Sequence, residues 1–147
     1  MKRFAFYIAV LFLTFAFSVV GTKLYFSWHI QFECTALFGI LVPPEGSGRG
    51  ASYKSFDGVK LSSTSSMFPS RQSAETALES SLREATEIVE RKPLPDGTGE
   101  RVVARFPPNE IATDGYISIM TLENDSLSEI ASTSLRHAGA FENGAPR

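Results

Sequence analysis

The residues whose types and spacing allow chemistry are few, and most of them lie near the carboxyl end of the chain. Ser132, Ser134 and His137 are close in sequence, and a serine hydroxyl beside an imidazole is the core of a nucleophile–base pair. Such a pair also requires a third group that orients the imidazole, and the sequence marks no residue for that role. We therefore expect Ser134 to cap a short helix and His137 to pack at a sheet edge. A small hydrolase that uses His137 with Ser132 or Ser134 stays open as an alternative.

Other chemical motifs are absent from the sequence, which contains no His-Glu-x-x-His, Cys-x-x-Cys, Gly-x-Ser-x-Gly or Walker pattern. Glu123 and Asp125 lie in a predicted turn and offer two carboxylates to a cation. The ligand spacing and the glycine of a calcium loop are missing there, however. We therefore predict no catalytic residue, no metal ligand and no cofactor.

Composition narrows the classes of protein further. The 147-residue chain has a formal net charge of -2, whereas nucleic-acid-binding domains usually carry a basic patch and a high pI. We therefore expect no nucleic-acid partner. Cys34 is the single cysteine, which excludes an internal disulfide framework. A lone thiol outside the cytoplasm can pair with another chain, but we expect Cys34 to be unpaired and partly buried.

The amino-terminal segment has the pattern of an export signal or a membrane anchor. Lys2 and Arg3 precede the apolar run Phe4–Val20, which is longer than a typical signal-peptide core and just long enough to span a bilayer. The aromatic segment Leu24–Trp28 is typical of a membrane interface. We predict that residues 1–26 form a retained transmembrane helix. A cleaved signal followed by a soluble secreted domain is the alternative.

The charges that flank the apolar run predict its orientation. Lys2 and Arg3 precede the run, whereas only Lys23 follows it closely, so the positive-inside rule places the N-terminus in the cytoplasm. The rest of the chain is then extracytoplasmic, in the periplasm or at the cell surface. The lipid bilayer is the partner that this pattern predicts directly.

Residues 27–50 follow the predicted anchor and are interpreted as a juxtamembrane connector. The apolar run Thr35–Val42 within it is too short to span a membrane. The glycine and serine content of Glu45–Gly50 favours a flexible linker. Residues 51–143 are predicted to form one small domain, and residues 144–147 a disordered tail.

A helical pattern begins at Ser70 and ends at Pro93, which cannot continue a helix. Small and apolar residues recur there at the helical period and share one stripe: Ala74, Ala77, Leu78, Ser81, Leu82, Ala85, Ile88 and Val89. We therefore predict one long amphipathic helix, with Glu79–Arg83 and Glu87–Arg91 as i,i+4 ion pairs on its outer side.

Strand patterns surround this helix. Asp57-Gly58 between alternating segments predicts a hairpin, with a strand over 58–66 and a weaker one before it. Further strands are predicted over 101–106, with Val103 directed outward, and over 116–122 and 127–133, and a short helix over 135–141. The predicted fold is α+β, a small antiparallel sheet with one long amphipathic helix packed on one face, preceded by an N-terminal transmembrane helix.

Two blocks of this sequence, Phe56–Ser65 and Ser134–Ala138, resemble a group of short exported bacterial proteins without a characterised activity. The resemblance implies a bacterial, membrane-anchored protein and assigns no functional residue. Together with the lack of a chemical motif, it leads us to expect a non-enzymatic binding or interaction domain outside the cytoplasm, with an unidentified protein partner.

Overall fold

The computed structural model describes residues 30–42, 46–109 and 112–144. The predicted transmembrane helix, residues 1–26, therefore lies outside the described residues, as do residues 145–147 of the predicted tail. In the part of the chain that is described, no helix has both the length and the apolar character needed to cross a membrane.

Strands dominate the described chain. They are β1 (Phe32–Val42), β2 (Gly46–Ser55), β3 (Lys60–Met67), β4 (Glu87–Pro93), β5 (Gly99–Phe106), β6 (Tyr116–Glu123) and β7 (Ser126–Ser132). The helices are α1 (Arg71–Leu82), between β3 and β4, and α2 (Leu135–Gly144), after β7. The α+β fold class is thus confirmed, with a larger sheet than the sequence patterns predict.

The strands form one antiparallel sheet in the order β1-β2-β3-β7-β6-β5-β4. Strands β1–β3 form one meander and strands β4–β7 form another, so that within each meander strands that are consecutive in sequence are paired. The two meanders are joined where β3 pairs with β7, from Leu61 opposite Ser132 to Met67 opposite Ser126. This pairing brings the hairpin between β2 and β3 beside the start of α2, and so positions the residues described below.

The helices cover opposite faces of the sheet. Val102 packs in the cluster that contains α1, whereas its neighbour Val103 packs with Ala138 of α2. Met120 and Ile119 divide between the two clusters in the same way, because successive side chains of a strand point to opposite faces. The prediction that Val103 faces outward is therefore wrong, and the sheet is covered on both faces at β5 and β6.

The predicted long helix ends at Leu82, well before Pro93. It begins as predicted, since Ser70 Oγ accepts a hydrogen bond from the Ser73 N–H at 3.2 Å. Glu87–Pro93 is instead an edge strand paired with β5. Its β-branched residues suit a strand, and pairing with β5 satisfies backbone groups that an exposed helix end would leave to water.

The predicted i,i+4 ion pairs of that helix are replaced by pairs between elements. Arg91 lies 2.6 Å from Glu79 of α1 and 2.6 Å from Glu100 of β5. Arg105 lies 3.1 Å from Glu87. The hydrogen bond to Glu100, and to a smaller extent the one to Glu79, raise the pKa of Arg91 above its usual value. The guanidinium is therefore always charged, and its ion pairs join α1, β4 and β5.

The interpretation of Glu45–Gly50 as a flexible linker is wrong, because Gly46–Gly50 opens β2 between β1 and β3. The glycines there make room for neighbours. A Cβ at Gly46 would overlap the ring of Phe68, one at Gly48 the Ser65 carbonyl, and one at Gly50 the ring of Phe38. Aromatic rings thus lie over two of these glycines on the sheet surface.

Both predicted tight turns are present. Asp57-Gly58 joins β2 to β3, and Gly58 has a φ of 88°, which a glycine adopts without steric cost. Asn124 has a φ of 56° in the two-residue turn between β6 and β7. Asparagine and glycine are the residues that tolerate this left-handed conformation best.

Replacing Gly48 with alanine tests whether this segment is a strand. We expect Gly48→Ala to lower the free energy of unfolding by about 1–3 kcal/mol, since the added methyl group overlaps the backbone of β3. Gly39→Ala in β1 is the matched control, because nothing lies within 4 Å of its added Cβ. Urea titration monitored by circular dichroism measures both. Equal stabilities of the two variants would contradict the assignment of Gly48 to a packed strand.

Candidate functional site

Ser134 and His137 meet at the start of α2, where the sequence predicts Ser134 as the helix cap. Ser134 precedes the helix, and its carbonyl oxygen accepts the Ala138 N–H at 3.0 Å. Its hydroxyl accepts the His137 N–H at 3.4 Å, which is the geometry of a helix cap. The first turn of α2 then brings the imidazole of His137 back over its own cap, with Nδ1 2.8 Å from Ser134 Oγ.

The third group, which sequence analysis missed, is Asp57. Its carboxylate lies in the turn between β2 and β3, with Oδ2 2.9 Å and Oδ1 3.1 Å from His137 Nε2. A carboxylate only accepts hydrogen bonds, so Nε2 carries a proton and donates it to Asp57. In the neutral ring Nδ1 then accepts the Ser134 hydroxyl. The three side chains therefore form one chain of hydrogen bonds, from Ser134 through His137 to Asp57.

Neighbouring groups hold this chain of hydrogen bonds in place. The Ser55 hydroxyl donates to Asp57 Oδ1 and also lies 3.1 Å from the carbonyl oxygen of Val59. The Ser55 hydrogen bond is the main cause that holds the pKa of Asp57 below its usual value; desolvation opposes it, and the hydrogen bond and charge of His137 lower the pKa further. The surroundings of Asp57 thus favour its carboxylate form over the protonated one.

Aromatic packing fixes the imidazole from the other side. The His137 side chain is 8% exposed, and the ring of Phe32 meets it edge to face at a centroid distance of 6.3 Å. Phe141 of α2 contacts Phe32 at 5.2 Å and Tyr53 at 4.6 Å. The imidazole is therefore held by β1, the β2–β3 turn and α2 together, which is more than the predicted packing at a sheet edge.

The order of groups around the imidazole differs from that of a serine hydrolase. There the carboxylate contacts Nδ1 and the nucleophilic serine contacts Nε2, whereas here Asp57 contacts Nε2 and Ser134 contacts Nδ1. The Ser134 hydroxyl also caps α2. In this arrangement the three residues are well placed to tie the β2–β3 turn to α2.

Ser132, the other candidate nucleophile, lies apart from the imidazole. Its hydroxyl donates to the Lys60 carbonyl oxygen at 3.2 Å and accepts the Ser134 N–H at 3.2 Å. It is 3% exposed. Ser132 therefore joins the end of β7 to β3 and to the start of α2, and Ser134 is the serine that contacts His137.

The remaining candidate residues lie elsewhere on the surface. Glu123 is the last residue of β6 and Asp125 lies in the turn after it. Among the described residues, no group of three potential metal ligands comes together. Cys34 has no disulfide partner and is exposed in β1, so the expectation that it is partly buried is wrong.

The Asp57–His137 contact is expected to stabilise the fold in a pH-dependent way. Because the folded-state pKa of Asp57 is lowered, its contribution is present above the unfolded-state value of about 3.9 and is lost as the pH falls through the lowered folded-state value. We expect Asp57→Asn to lower Tm near pH 6, and the difference from wild type to vanish in strong acid.

Thermal unfolding from pH 2 to 7 measures this difference, with Asp114→Asn as the matched control in another turn. His137→Ala should lower Tm near neutral pH, because it also removes a buried ring from the contact with Phe32. An unchanged Tm in both Asp57→Asn and His137→Ala would contradict a structural role for the contact.

Comparison with known proteins identifies no relative of this chain: no protein-family model, no curated protein and no solved structure matches it.

Proposed function

We propose that this chain is a single-pass membrane protein with a cytoplasmic N-terminus, and that its α+β part acts outside the cytoplasm as a non-catalytic interaction domain. The order of Lys2, Arg3 and the apolar run Phe4–Val20 supports the anchor and its orientation. The absence of a motif for catalysis, and the use of the Ser134 hydroxyl as a helix cap, support a binding role over an enzymatic one.

The observation that carries the interaction role is the edge strand β1. It is 11 residues long and lies at one end of the sheet, and within the described ranges no strand pairs with its outer edge. Leu37 and Leu41, on the same side of β1, are 81% and 88% exposed. A long edge with exposed apolar side chains is a template for pairing with another polypeptide.

The opposite edge of the sheet differs from β1 in its charges. Along β4, Glu87 lies 3.1 Å from Arg105, and Lys92 lies 3.2 Å from Glu90. Charged side chains on an edge strand discourage pairing with other chains. The partner expected at β1 is therefore an extended segment that adds an eighth strand through main-chain hydrogen bonds, with apolar side chains beside Leu37 and Leu41.

Labelling of Cys34 tests the anchor and the orientation in the native chain. Cys34 is exposed in β1, so a membrane-impermeant maleimide should label it in intact spheroplasts. The protein should also stay in the membrane fraction after an alkaline wash. Cys34→Ser is the control for specificity. Labelling that requires lysis would contradict the orientation, and release by the alkaline wash would contradict the anchor.

Photo-crosslinking from β1 tests the interaction. With p-benzoylphenylalanine at position 41 of the full chain in its membrane, we expect a discrete adduct with another polypeptide. The added substitution Leu37→Lys should remove this adduct, because lysine at an edge opposes strand addition. The same crosslinker at Val89 of edge strand β4, which is 42% exposed, should give none. Equal adducts at both positions, or none at position 41, would refute recognition through β1.

A small hydrolase is the second candidate, and the hydrogen-bonded chain of Ser134, His137 and Asp57 is the observation that favours it. A hydrolase would make Ser134 reactive towards a fluorophosphonate in a His137-dependent manner. If the three residues only hold the β2–β3 turn against α2, Ser134 should not be labelled, and the variants at Asp57 and His137 should be less stable than the wild-type protein.

A further inference from the structure

A cavity of about 520 Å³ lies on the α1 face of the sheet, over β2, β3 and β7. Ser52, Ser62 and Ala131 lie opposite one another across these three strands and form its floor. Ser118 of β6 continues the same row opposite Ala131. Small side chains in one row leave a depression that α1 does not fill, and its volume is typical of sites for small ligands.

One end of this cavity carries two lysines. Lys54 and Lys60 are directly opposite each other at the ends of β2 and β3, and both line the cavity. Like charges in this position are unfavourable. Glu33 of β1 lies opposite Lys54 on its other side, but among the ion pairs of the described residues neither Lys54 nor Lys60 takes part. An anion between the two ammonium groups would relieve their repulsion.

The other side of the cavity offers a hydrogen-bond acceptor. Glu129 lines the cavity and accepts the hydroxyl of the fully buried Ser118 at 2.5 Å, which leaves its second oxygen able to accept another hydrogen bond. Tyr116 lies nearby, stacked on Phe106 at a centroid distance of 4.9 Å. Burial, and then the negative charge of Glu129, raise the pKa of Tyr116. Its neutral ring gives the cavity an aromatic wall.

The register of the sheet gives the spacing between the lysine pair and the Glu129 carboxylate. Glu129 reaches the row of Ser118, Ala131 and Ser62, and Ser62 is two residues from Lys60 on the same strand. Two residues of a strand rise about 7 Å. The acceptor is therefore displaced from the lysine pair by about 7 Å along the strands, and also across the sheet, because Glu129 lies on β7 and bonds to Ser118 of β6.

We propose that this cavity binds a small organic carboxylate that carries a hydroxyl group at its far end. The carboxylate lies between Lys54 and Lys60, the body packs against Tyr116 and Ala131, and the hydroxyl donates to Glu129. Thr35 of β1 also lines the cavity, but Leu37 and Leu41 lie on the opposite face of the sheet. The ligand site can therefore be tested independently of the interaction proposed for those leucines.

Isothermal titration calorimetry of the full chain in nanodiscs tests the site, with 4-hydroxybenzoate as the probe and empty nanodiscs as the blank. We expect saturable 1:1 binding with a Kd of about 1 mM or tighter. Benzoate, which lacks the donor, and 4-hydroxybenzyl alcohol, which lacks the anion, should each bind at least fivefold more weakly.

Variants assign the binding to this cavity. Lys54→Met/Lys60→Met keeps the aliphatic stems and should weaken 4-hydroxybenzoate at least tenfold without lowering Tm, since it also removes the like-charge pair. It should leave the weak binding of the neutral alcohol unchanged. Lys92→Met, on an exposed lysine of β4, is the control and should change nothing. Ala131→Leu should fill the floor and weaken both probes.

Three results would overturn the proposal. The first is that 4-hydroxybenzoate shows no saturable binding up to 10 mM. The second is that Lys54→Met/Lys60→Met binds it as strongly as the wild-type protein. The third is that Leu37→Ser/Leu41→Ser on β1 abolishes the binding. Should Ala131→Leu fail to fold, Ser62→Val on the same floor serves in its place.

Discussion

The fold depends on the burial of β5 and β6 on both of their faces. Val102 and Met120 need cover on one side, and Val103 and Ile119 need it on the other. A strand that is apolar on both sides is stable only inside a layered structure. The chain supplies one helix for each face: α1 packs on the side of Val102 and Met120, and α2 on the side of Val103 and Ile119.

Apolar residues are unequally distributed across the sheet. The core clusters draw on β5, β6 and β7, whereas β2 and β3 are rich in glycine, serine and threonine. The helices cover the apolar part, and the polar part is left with a cavity on one face and with β1, which pairs on one side only within the described residues. The features suited to binding therefore lie where the core is thinnest.

The features that were predicted correctly are those that depend on residues close together in the sequence. The Asp57-Gly58 hairpin, the strands β5 to β7 and the Ser134 cap follow from turn chemistry, alternation and capping. The extent of α1 was mispredicted because Ala85, Ile88 and Val89 fit a helical period as well as an exposed edge strand, and only pairing with β5 selects the strand. The role of Gly46–Gly50 was missed because a glycine-rich strand and a linker have the same composition.

The candidate site shows the same division between local and long-range information. The capping role of Ser134 depends on residues within one helical turn and is predicted from the sequence. The contact of His137 with Asp57 spans 80 residues and exists because β3 pairs with β7. No single-sequence pattern reports that pairing, so the sequence identifies Asp57 only as a turn residue and not as the partner of an imidazole.

The position of β1 has a mechanical consequence. β1 is the first strand of the sheet and lies at its edge, so tension on the preceding chain acts first on the Phe32↔Ser55 end of the β1–β2 ladder. Force applied at this end and across the strands separates the pairs one after another, as in unzipping, whereas force along the strands loads them together. Phe32 also contacts His137 and Phe141. The first pair to open under tension is therefore the one that is reinforced by packing against α2.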